Sequence, residues 1–477
     1  MNLIHKNFIY NNVLGITNLL IPILIFPYIS RILGPSGIGI VSFAVSLTTV
    51  FALIGSLGIP IYGIREIAKV KNDKEKLSKI FSELLIIQVS WMVFTLTVYS
   101  FWLFFTDTFN SEQIIKYASY LHIFGLIGMF TWFFQGIENY KFITVINFLI
   151  KFLMIVLLFV LVKNQDHYWI YYSVIAVTTL VGSIVSLFYA FSFVKVKYTN
   201  LDFRRHLKPI LILFSTQLAI GIYVNLDIIF LNYFSNEYEV GLYAPASRLV
   251  KIILIVVTSL GTVLIPKLSL YIKEGKIEES KKIIIKSLQF IFLITLPINV
   301  LLICLSKEII FVFAGEEFMY SATLLTLLAP VIFLIGLSNV FGLQILVPAN
   351  KEKKLMLAVL IGAVISVVLN CILIPELKSK GAAYTIIITE LIITVLTYYF
   401  AKQEMKFNLP FKSIIYYFLL AILIIPICYF LHTFLTGIMY LFIASIFSTL
   451  VYIYGLLIIK DKFFIESIWK PILSFKK

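Results

Sequence analysis

A series of long apolar runs, separated by short charged connections, constrains this 477-residue chain more than any other feature. Each run has about the 20 residues that a helix needs to cross the hydrocarbon core of a bilayer, and no connection exceeds roughly 20 residues. That leaves no room for a soluble domain of the common ~100-residue size, so we predict an all-α polytopic membrane protein. Fourteen spans are predicted: 8–30, 38–60, 80–104, 114–135, 142–162, 168–194, 209–231, 240–266, 284–305, 321–347, 355–375, 381–400, 413–431 and 437–459.

Composition and motifs agree with this interpretation. Hydrophobic residues make up 61% of the chain and charged residues only 13%, which excludes a soluble globular class. The three cysteines lie in or beside apolar runs without metal-like spacing, so we interpret them as small core residues and not as a disulfide or a metal site. The sequence has no phosphate-binding loop, dinucleotide fingerprint, metalloprotease motif or nucleophile elbow, so we predict no cofactor, no metal and no enzyme activity.

The positive charges fix a predicted orientation. If every run crosses the membrane, 30 of the 39 Lys and Arg residues lie on one side, 6 lie on the other and 3 lie inside spans. Because cytoplasmic segments carry the excess of positive charge, both termini are predicted to be cytoplasmic. The net charge of +15 is spread over eight inner segments, where it favours contact with anionic lipid headgroups rather than nucleic acid.

A faint internal repeat organises the predicted spans. The stretch RILGPSGIGIVSFAVSL (31–47) is echoed by NYFSNEYEVGLYAPASRL (232–249), so that Gly39 falls on Gly241 and Ser46 on Arg248 at an offset of 202 residues. We predict two six-helix lobes, 1–200 and 201–406, followed by two further helices in 407–477. An even number of spans per lobe keeps both lobes in one orientation, with a pseudo-twofold axis along the membrane normal and a cavity between them.

Two charges inside the eighth span are the strongest candidates for a binding site. Arg248 and Lys251 are predicted about 12 and 16 Å from the outer end of that helix, on a shared face. Two cations side by side in a membrane require an anion, which favours an anionic substrate. The alternatives are snorkelling to the membrane surface or a structural ion pair, for instance with Asp227 on the preceding span.

Other charged residues give further candidates. Arg31 ends the first span on the outer side, where it either contacts substrate or anchors to headgroups, and Lys151 either extends a cationic path or snorkels. Asp227 and Glu390 could bind a coupling ion or proton, or could pair with a cation; for Asp227 we favour the structural pair. Glu83 is expected to be interfacial.

Six pieces of the sequence, in order, resemble the polysaccharide transport family of repeat-unit (O-antigen type) flippases. That family lies within the multidrug/oligosaccharidyl-lipid/polysaccharide exporter superfamily, and the likeness extends to the lipid II flippases. The pieces cover the region of spans 1–12 and are PYISRILGPSGIGIVSFA (27–44), GIREIAK (63–69), WFFQGIENYKFI (132–143), LDIIFLNYFSNEYEVGLYAPASRL (226–249), SLGTVLIPKLS (259–269) and QILVPANKEKK (344–354).

The resemblance implies a flippase of the bacterial inner membrane that moves undecaprenyl-pyrophosphate-linked oligosaccharide to the outer leaflet. The expected partners are membrane lipids and the polymerase and chain-length proteins of the same pathway. Because both lobes lie within one chain, no dimer is needed to form the cavity, and a monomer is expected. Arg31 and Arg248 match arginines that line the cationic cavity of the lipid II flippases, in Arg-Ile-x-Gly and Ala-x-Arg-Leu contexts. Those relatives carry a second arginine in span 2 that this chain lacks, so the cavity is expected to be less cationic or to use Lys251 or Lys151.

Two alternatives remain open. One is an exporter of drugs or other small molecules from the same superfamily. The other, from a different class, is a membrane-embedded polysaccharide polymerase or glycosyltransferase, which would usually need a sizeable outer loop or an acidic cluster that the sequence does not show.

Overall fold

In the computed structural model, which describes residues 3–469, every regular element is a helix, and the chain divides into two compact units, Met1–Gly241 and Leu242–Lys477. The predicted boundaries at residues 200 and 406 remain predictions. The helices up to the division are α1 (Leu3–Ser56), α2 (Ile59–Val70), α3 (Lys74–Thr106), α4 (Gln113–Ile127), α5 (Thr131–Gly136), α6 (Tyr140–Leu161), α7 (Tyr168–Ala190), α8 (Arg204–Phe234) and α9 (Glu237–Lys273), which runs on into the second unit.

The second unit continues with long helices and a hairpin-like C-terminal group. Its elements are α10 (Ile277–Cys304), α11 (Ser306–Phe313), α12 (Tyr320–Asn339), α13 (Glu352–Glu404), α14 (Phe411–Ile422), α15 (Ile424–His432), α16 (Gly437–Ile458) and α17 (Lys462–Phe464). Between α12 and α13, residues Val340–Leu346 form a π-helix.

Eleven helices of the described chain are long and apolar enough to cross a membrane, which confirms the predicted all-α multi-pass class. Large apolar side chains such as Phe104 and Tyr429 are more than three-quarters exposed, as expected for surfaces that face lipid rather than water. Two of the long helices are broken internally, α1 at Gly34 and α13 at Lys378, both with positive φ. Each break falls between two predicted spans. The number of crossings and the pseudo-twofold axis remain predictions.

The first unit is built around α1, which packs against α3, α4, α6, α7 and α8. Where α2, α3 and α5 meet, a cluster of aromatic rings fills the core, with Phe81, Trp132, Phe133 and Phe134 all essentially buried. The Phe81 and Phe133 rings meet edge to face at 4.9 Å. Because each such ring buries about 150–250 Å², this cluster fixes α5 and the amphipathic α2 to α3.

The predicted fourth span is divided into α4 and α5, and a neighbouring helix satisfies a carbonyl at the break. Because α4 ends at Ile127 and α5 begins at Thr131, the carbonyl of Ile127 is not used within one continuous helix. The side-chain amide of the buried Gln88, on α3, donates a hydrogen bond to that carbonyl. A neighbouring helix thus supplies the donor that the lipid cannot supply.

The second unit packs α10 and α13 against α12, and the C-terminal helices α14–α16 against α10. Two tyrosines connect these layers: Tyr452 on α16 donates to the Leu293 carbonyl over 3.1 Å, and Tyr417 on α14 donates to Asp461 over 3.1 Å. Gln344 is buried in the π-helix that follows α12. Such single π-turns interrupt the regular ladder of a helix and recur at functional sites.

Candidate functional site

Arg31 lies on the last turn of α1 before its internal break. Its Nη1 donates a hydrogen bond of 2.7 Å to the Pro27 carbonyl, and the side chain is exposed. Three residues later Gly34 has φ 64° and ψ −178°, a conformation that an L side chain rarely adopts, so glycine allows the chain to turn here. The predicted position of Arg31 at the end of a span agrees with this geometry, while its role in binding remains a prediction.

Immediately after the break, α1 touches the start of α9 without any side chain between the two backbones. A Cβ added to Gly39 would overlap the carbonyl of Glu237, and one added to Gly241 would overlap the carbonyl of Pro35. All four residues belong to the first unit. Only glycine at positions 39 and 241 permits so close an approach.

This contact is reciprocal with respect to the sequence repeat. The offset that places Gly39 on Gly241 also places Pro35 on Glu237. Gly39 therefore lies against Glu237, the residue equivalent to Pro35, and Gly241 lies against Pro35, the residue equivalent to Glu237. In each copy the contacted residue comes four positions before the glycine. We call these four residues the reciprocal glycine contact.

Lys151 lies on α6 and is half-buried, and its ammonium group donates to the side-chain oxygen of Asn18 on α1. Helices α1 and α6 pack along each other in the first unit. Because an ammonium group within apolar surroundings needs hydrogen-bond acceptors, Asn18 provides one without neutralising the charge.

The structure places Arg248 and Lys251 on α9, three residues apart as predicted, with Arg248 half-buried and Lys251 exposed. Asp227 is buried on α8 of the first unit, and Glu390 is buried on the second half of α13. Arg248 and Asp227 belong to different units, so the predicted ion pair and the predicted cavity remain predictions.

Glu83 is fully buried within the protein, and its interfacial depth in the membrane stays a prediction. One carboxylate oxygen accepts a hydrogen bond from the Asp202 backbone over 2.8 Å. The other accepts from the Arg205 guanidinium and lies 2.8 Å from His206 Nε2. On the opposite side of the imidazole ring, the Tyr62 hydroxyl is 2.8 Å from Nδ1. These contacts form a chain from Tyr62 through His206 to Glu83.

The segment between α7 and α8 is held against α3 by hydrogen bonds at and near Glu83. The Lys195 amide donates to Ser78 Oγ over 3.2 Å, and the Lys197 amide donates to Ser82 Oγ over 2.8 Å. Together with the bond from Asp202 to Glu83, these contacts fasten residues 195–202 along one face of α3. We call this segment the strap. The strap and the residues that hold it are more than 100 positions apart in the sequence, so no local pattern predicts their contacts. The one signal in the sequence was Glu83, an acidic residue within an apolar run.

Comparisons with known proteins agree with this fold. The family model described as "Polysaccharide biosynthesis protein" matches residues 4–272, and the one described as "MatE" matches residues 213–372. A curated protein of Escherichia coli (strain K12), "Putative O-antigen transporter", is 25% identical over 404 residues, which are 84% of this chain and 97% of that protein.

Solved structures share the architecture at low sequence identity. The lipid II flippase MurJ in an inward closed conformation aligns with a TM-score of 0.66 at 18% identity, covering 92% of this chain and 99% of that one. An inward-facing multidrug resistance MATE family transporter aligns with a TM-score of 0.65 at 17% identity, covering 82% and 94%.

Proposed function

This chain belongs to the polysaccharide biosynthesis protein family, and from that premise we propose that it is a flippase for lipid-linked oligosaccharides. The cargo we propose is an oligosaccharide repeat unit on undecaprenyl pyrophosphate, carried from the cytoplasmic to the outer leaflet of the bacterial inner membrane. The similarity to the "Putative O-antigen transporter" of Escherichia coli supports this class of cargo, because O-antigen is a polysaccharide built from such units.

The observation that supports the mechanism most directly is the reciprocal glycine contact. Alternating access requires that one side of the transporter can close and open again, so the surfaces that meet there must not be held together by interlocking side chains. Backbone against backbone, with no side chain interposed at Gly39 or Gly241, makes a close-packed seal by van der Waals contact alone. In the predicted orientation this contact lies on the outer side of the membrane.

The pyrophosphate of the cargo requires cations in a low-dielectric site, because its charge is poorly solvated there. Arg248 and Lys251, three residues apart on α9, are the proposed centre of that site, with Arg31 and Lys151 as further cations. Arginine suits this role because its planar guanidinium donates two parallel hydrogen bonds to a phosphate. Asp227 and Glu390 are proposed to hold these cations in place or to take a coupling ion.

A second candidate is export of a drug or another small molecule. It is favoured by the match of residues 213–372 to the MatE model, which covers the region of Arg248 and Lys251. The two hypotheses differ in the charge of the substrate. The paired cations Arg248 and Lys251 favour an anion, such as the pyrophosphate of the lipid-linked cargo.

The test uses cells that lack this protein and any other flippase for the same cargo. We expect lipid-linked oligosaccharide to accumulate on the cytoplasmic leaflet, and the wild type to relieve that accumulation. Arg248→Ala should fail to relieve it at equal expression, whereas Arg65→Ala, whose side chain is 58% exposed beside Glu66, should succeed. Normal delivery to the outer leaflet without the protein would favour the export of small molecules instead.

A further inference from the structure

Beside the reciprocal glycine contact, the first unit has a cavity of about 280 Å³ that the proposed flipping mechanism does not use. Its walls come from the second half of α1, the connection between α3 and α4, and the junction of α8 and α9. Glu237, whose carbonyl packs against Gly39, also lines this cavity. The volume is near the lower end of the ~300–1,000 Å³ typical of small-molecule pockets, enough for a small ring.

One wall of the cavity is an aromatic ring held in a fixed orientation. The Tyr233 hydroxyl is 2.8 Å from Thr108 Oγ1 and accepts a hydrogen bond of 3.1 Å from Trp102 Nε1. The Phe43 ring meets the Tyr233 ring edge to face, with centroids 5.6 Å apart, and is buried behind it. Tyr233 itself stays 40% exposed. An exposed, pre-oriented ring suits stacking against the apolar face of a flat ligand.

Much of the remaining lining is polar, and it lacks cations. Glu112 accepts a hydrogen bond of 2.8 Å from the Tyr168 hydroxyl through Oε1, which fixes its carboxylate at the rim. Thr106, Thr108, Ser111, Asn232 and Glu237 supply further hydroxyl, amide and carboxylate groups. Among the described lining residues there is no Lys, Arg or His. This part of the lining therefore accepts hydrogen bonds from hydroxyl groups and repels anions.

We propose that this cavity binds an uncharged pyranose ring of the carried oligosaccharide, on the predicted outer side of the protein. A sugar ring combines a C–H face that stacks on Tyr233 with hydroxyls that donate to Glu112 and Glu237. The pyrophosphate end of the cargo is excluded by the two carboxylates. Because the walls come from both copies of the repeat, opening of the reciprocal glycine contact separates them and releases the sugar. The inference rests on the proposed function for the source of the sugar.

The binding test uses purified full-length chain in lipid nanodiscs and follows tryptophan fluorescence, since Trp102 donates its indole N–H to Tyr233. The probes are the methyl glycosides of glucose, galactose, mannose and N-acetylglucosamine, with methyl glucuronide as the anionic analogue. We expect a saturable change with at least one neutral glycoside, with half-saturation on the order of 1 mM, and binding of the glucuronide at least tenfold weaker. Trp102→Phe should abolish the signal.

Two variants test the walls separately. Tyr233→Ala removes the stacking ring, and Glu112→Gln keeps the shape of the rim while removing its charge. Both should raise the half-saturating concentration at least tenfold, whereas Tyr238→Ala, an exposed neighbour that does not line the cavity, should leave it unchanged. The proposal is overturned if no neutral glycoside gives a saturable change, if the glucuronide binds equally well, or if both variants bind like the wild type.

Because binding of a free glycoside requires no transport, the two proposals fail separately. A chain that binds the glycoside but does not move lipid-linked oligosaccharide contradicts the proposed flippase and leaves the pocket standing. A chain that flips its cargo but binds none of the glycosides contradicts the pocket alone.

Discussion

At the scale of single residues, Glu83 is a side chain whose loss should destabilise the fold strongly. It is fully buried and accepts hydrogen bonds from Arg205 and from the Asp202 amide, with His206 also in contact. Glu83→Ala should destabilise the first unit by about 1.5–3 kcal/mol for each strong bond lost to the charged group. The thermal unfolding midpoint in detergent should therefore fall clearly below that of Glu75→Ala, a carboxylate that is 88% exposed. Equal midpoints for the two variants would show that the buried carboxylate does not stabilise the fold.

The reciprocal glycine contact makes a paired prediction. Gly39→Ala and Gly241→Ala each place a methyl group on a backbone carbonyl, and overpacking of this kind costs about 1–3 kcal/mol. Because the cost falls only on the state in which this contact is made, the population of that state should drop roughly tenfold, and flipping in vesicles should slow by similar factors in both variants. Gly15→Ala is the control, since an added Cβ there meets no described atom within 4 Å. If either contact variant flips its cargo at the wild-type rate, the reciprocal glycine contact is not part of the mechanism.

How far the sequence could predict these residues depended on the range of the interaction. The shared helix face of Arg248 and Lys251 follows from a spacing of three residues, which a helix always translates into proximity. Glu83 and His206 are more than 100 residues apart and meet only because α8 begins beside α3. Nothing in the local pattern encodes that approach, so the burial of Glu83 could not be predicted.

At the scale of elements, apolar length was enough to predict the helices but not their interruptions. Spans were predictable because each must be about 20 residues long whatever it packs against. At the break between α4 and α5 the free carbonyl is bonded by Gln88 of another helix, and the π-helix after α12 is largely buried, so both involve contacts distant in sequence. Breaks at Gly34 and Lys378 were visible because turn-forming or charged residues interrupt the apolar pattern there.

The strap gives a prediction at this scale. Residues 195–202 carry two trypsin sites, but their amides are bonded to Ser78, Ser82 and Glu83. Trypsin should cut the wild type slowly after Lys197, and the double variant Ser82→Ala/Glu83→Gln should be cut at least tenfold faster. The connection between α9 and α10, around Gly275, is the internal control, because it should be cut equally in both proteins. Equal cleavage after Lys197 would mean that the strap is not fastened.

For the whole molecule, the distribution of Lys and Arg makes the orientation testable. Single cysteines at Glu317 or Lys353, in a variant whose three native cysteines are replaced, should react differently with an impermeant maleimide. Both positions are exposed. In intact spheroplasts we expect Glu317→Cys to be labelled and Lys353→Cys to react only after lysis. The opposite pattern would invert the predicted topology and place the reciprocal glycine contact on the cytoplasmic side.

The most direct test of the central claim is reconstitution of the purified chain into liposomes that contain a labelled undecaprenyl-pyrophosphate oligosaccharide. A glycosidase added outside digests only the sugar on the outer leaflet. We predict that the wild type raises the digested fraction from about half to nearly all, and that Arg248→Ala stays near half. A digested fraction that equals that of protein-free liposomes, with correctly folded protein present, would contradict the proposal that this chain is a flippase.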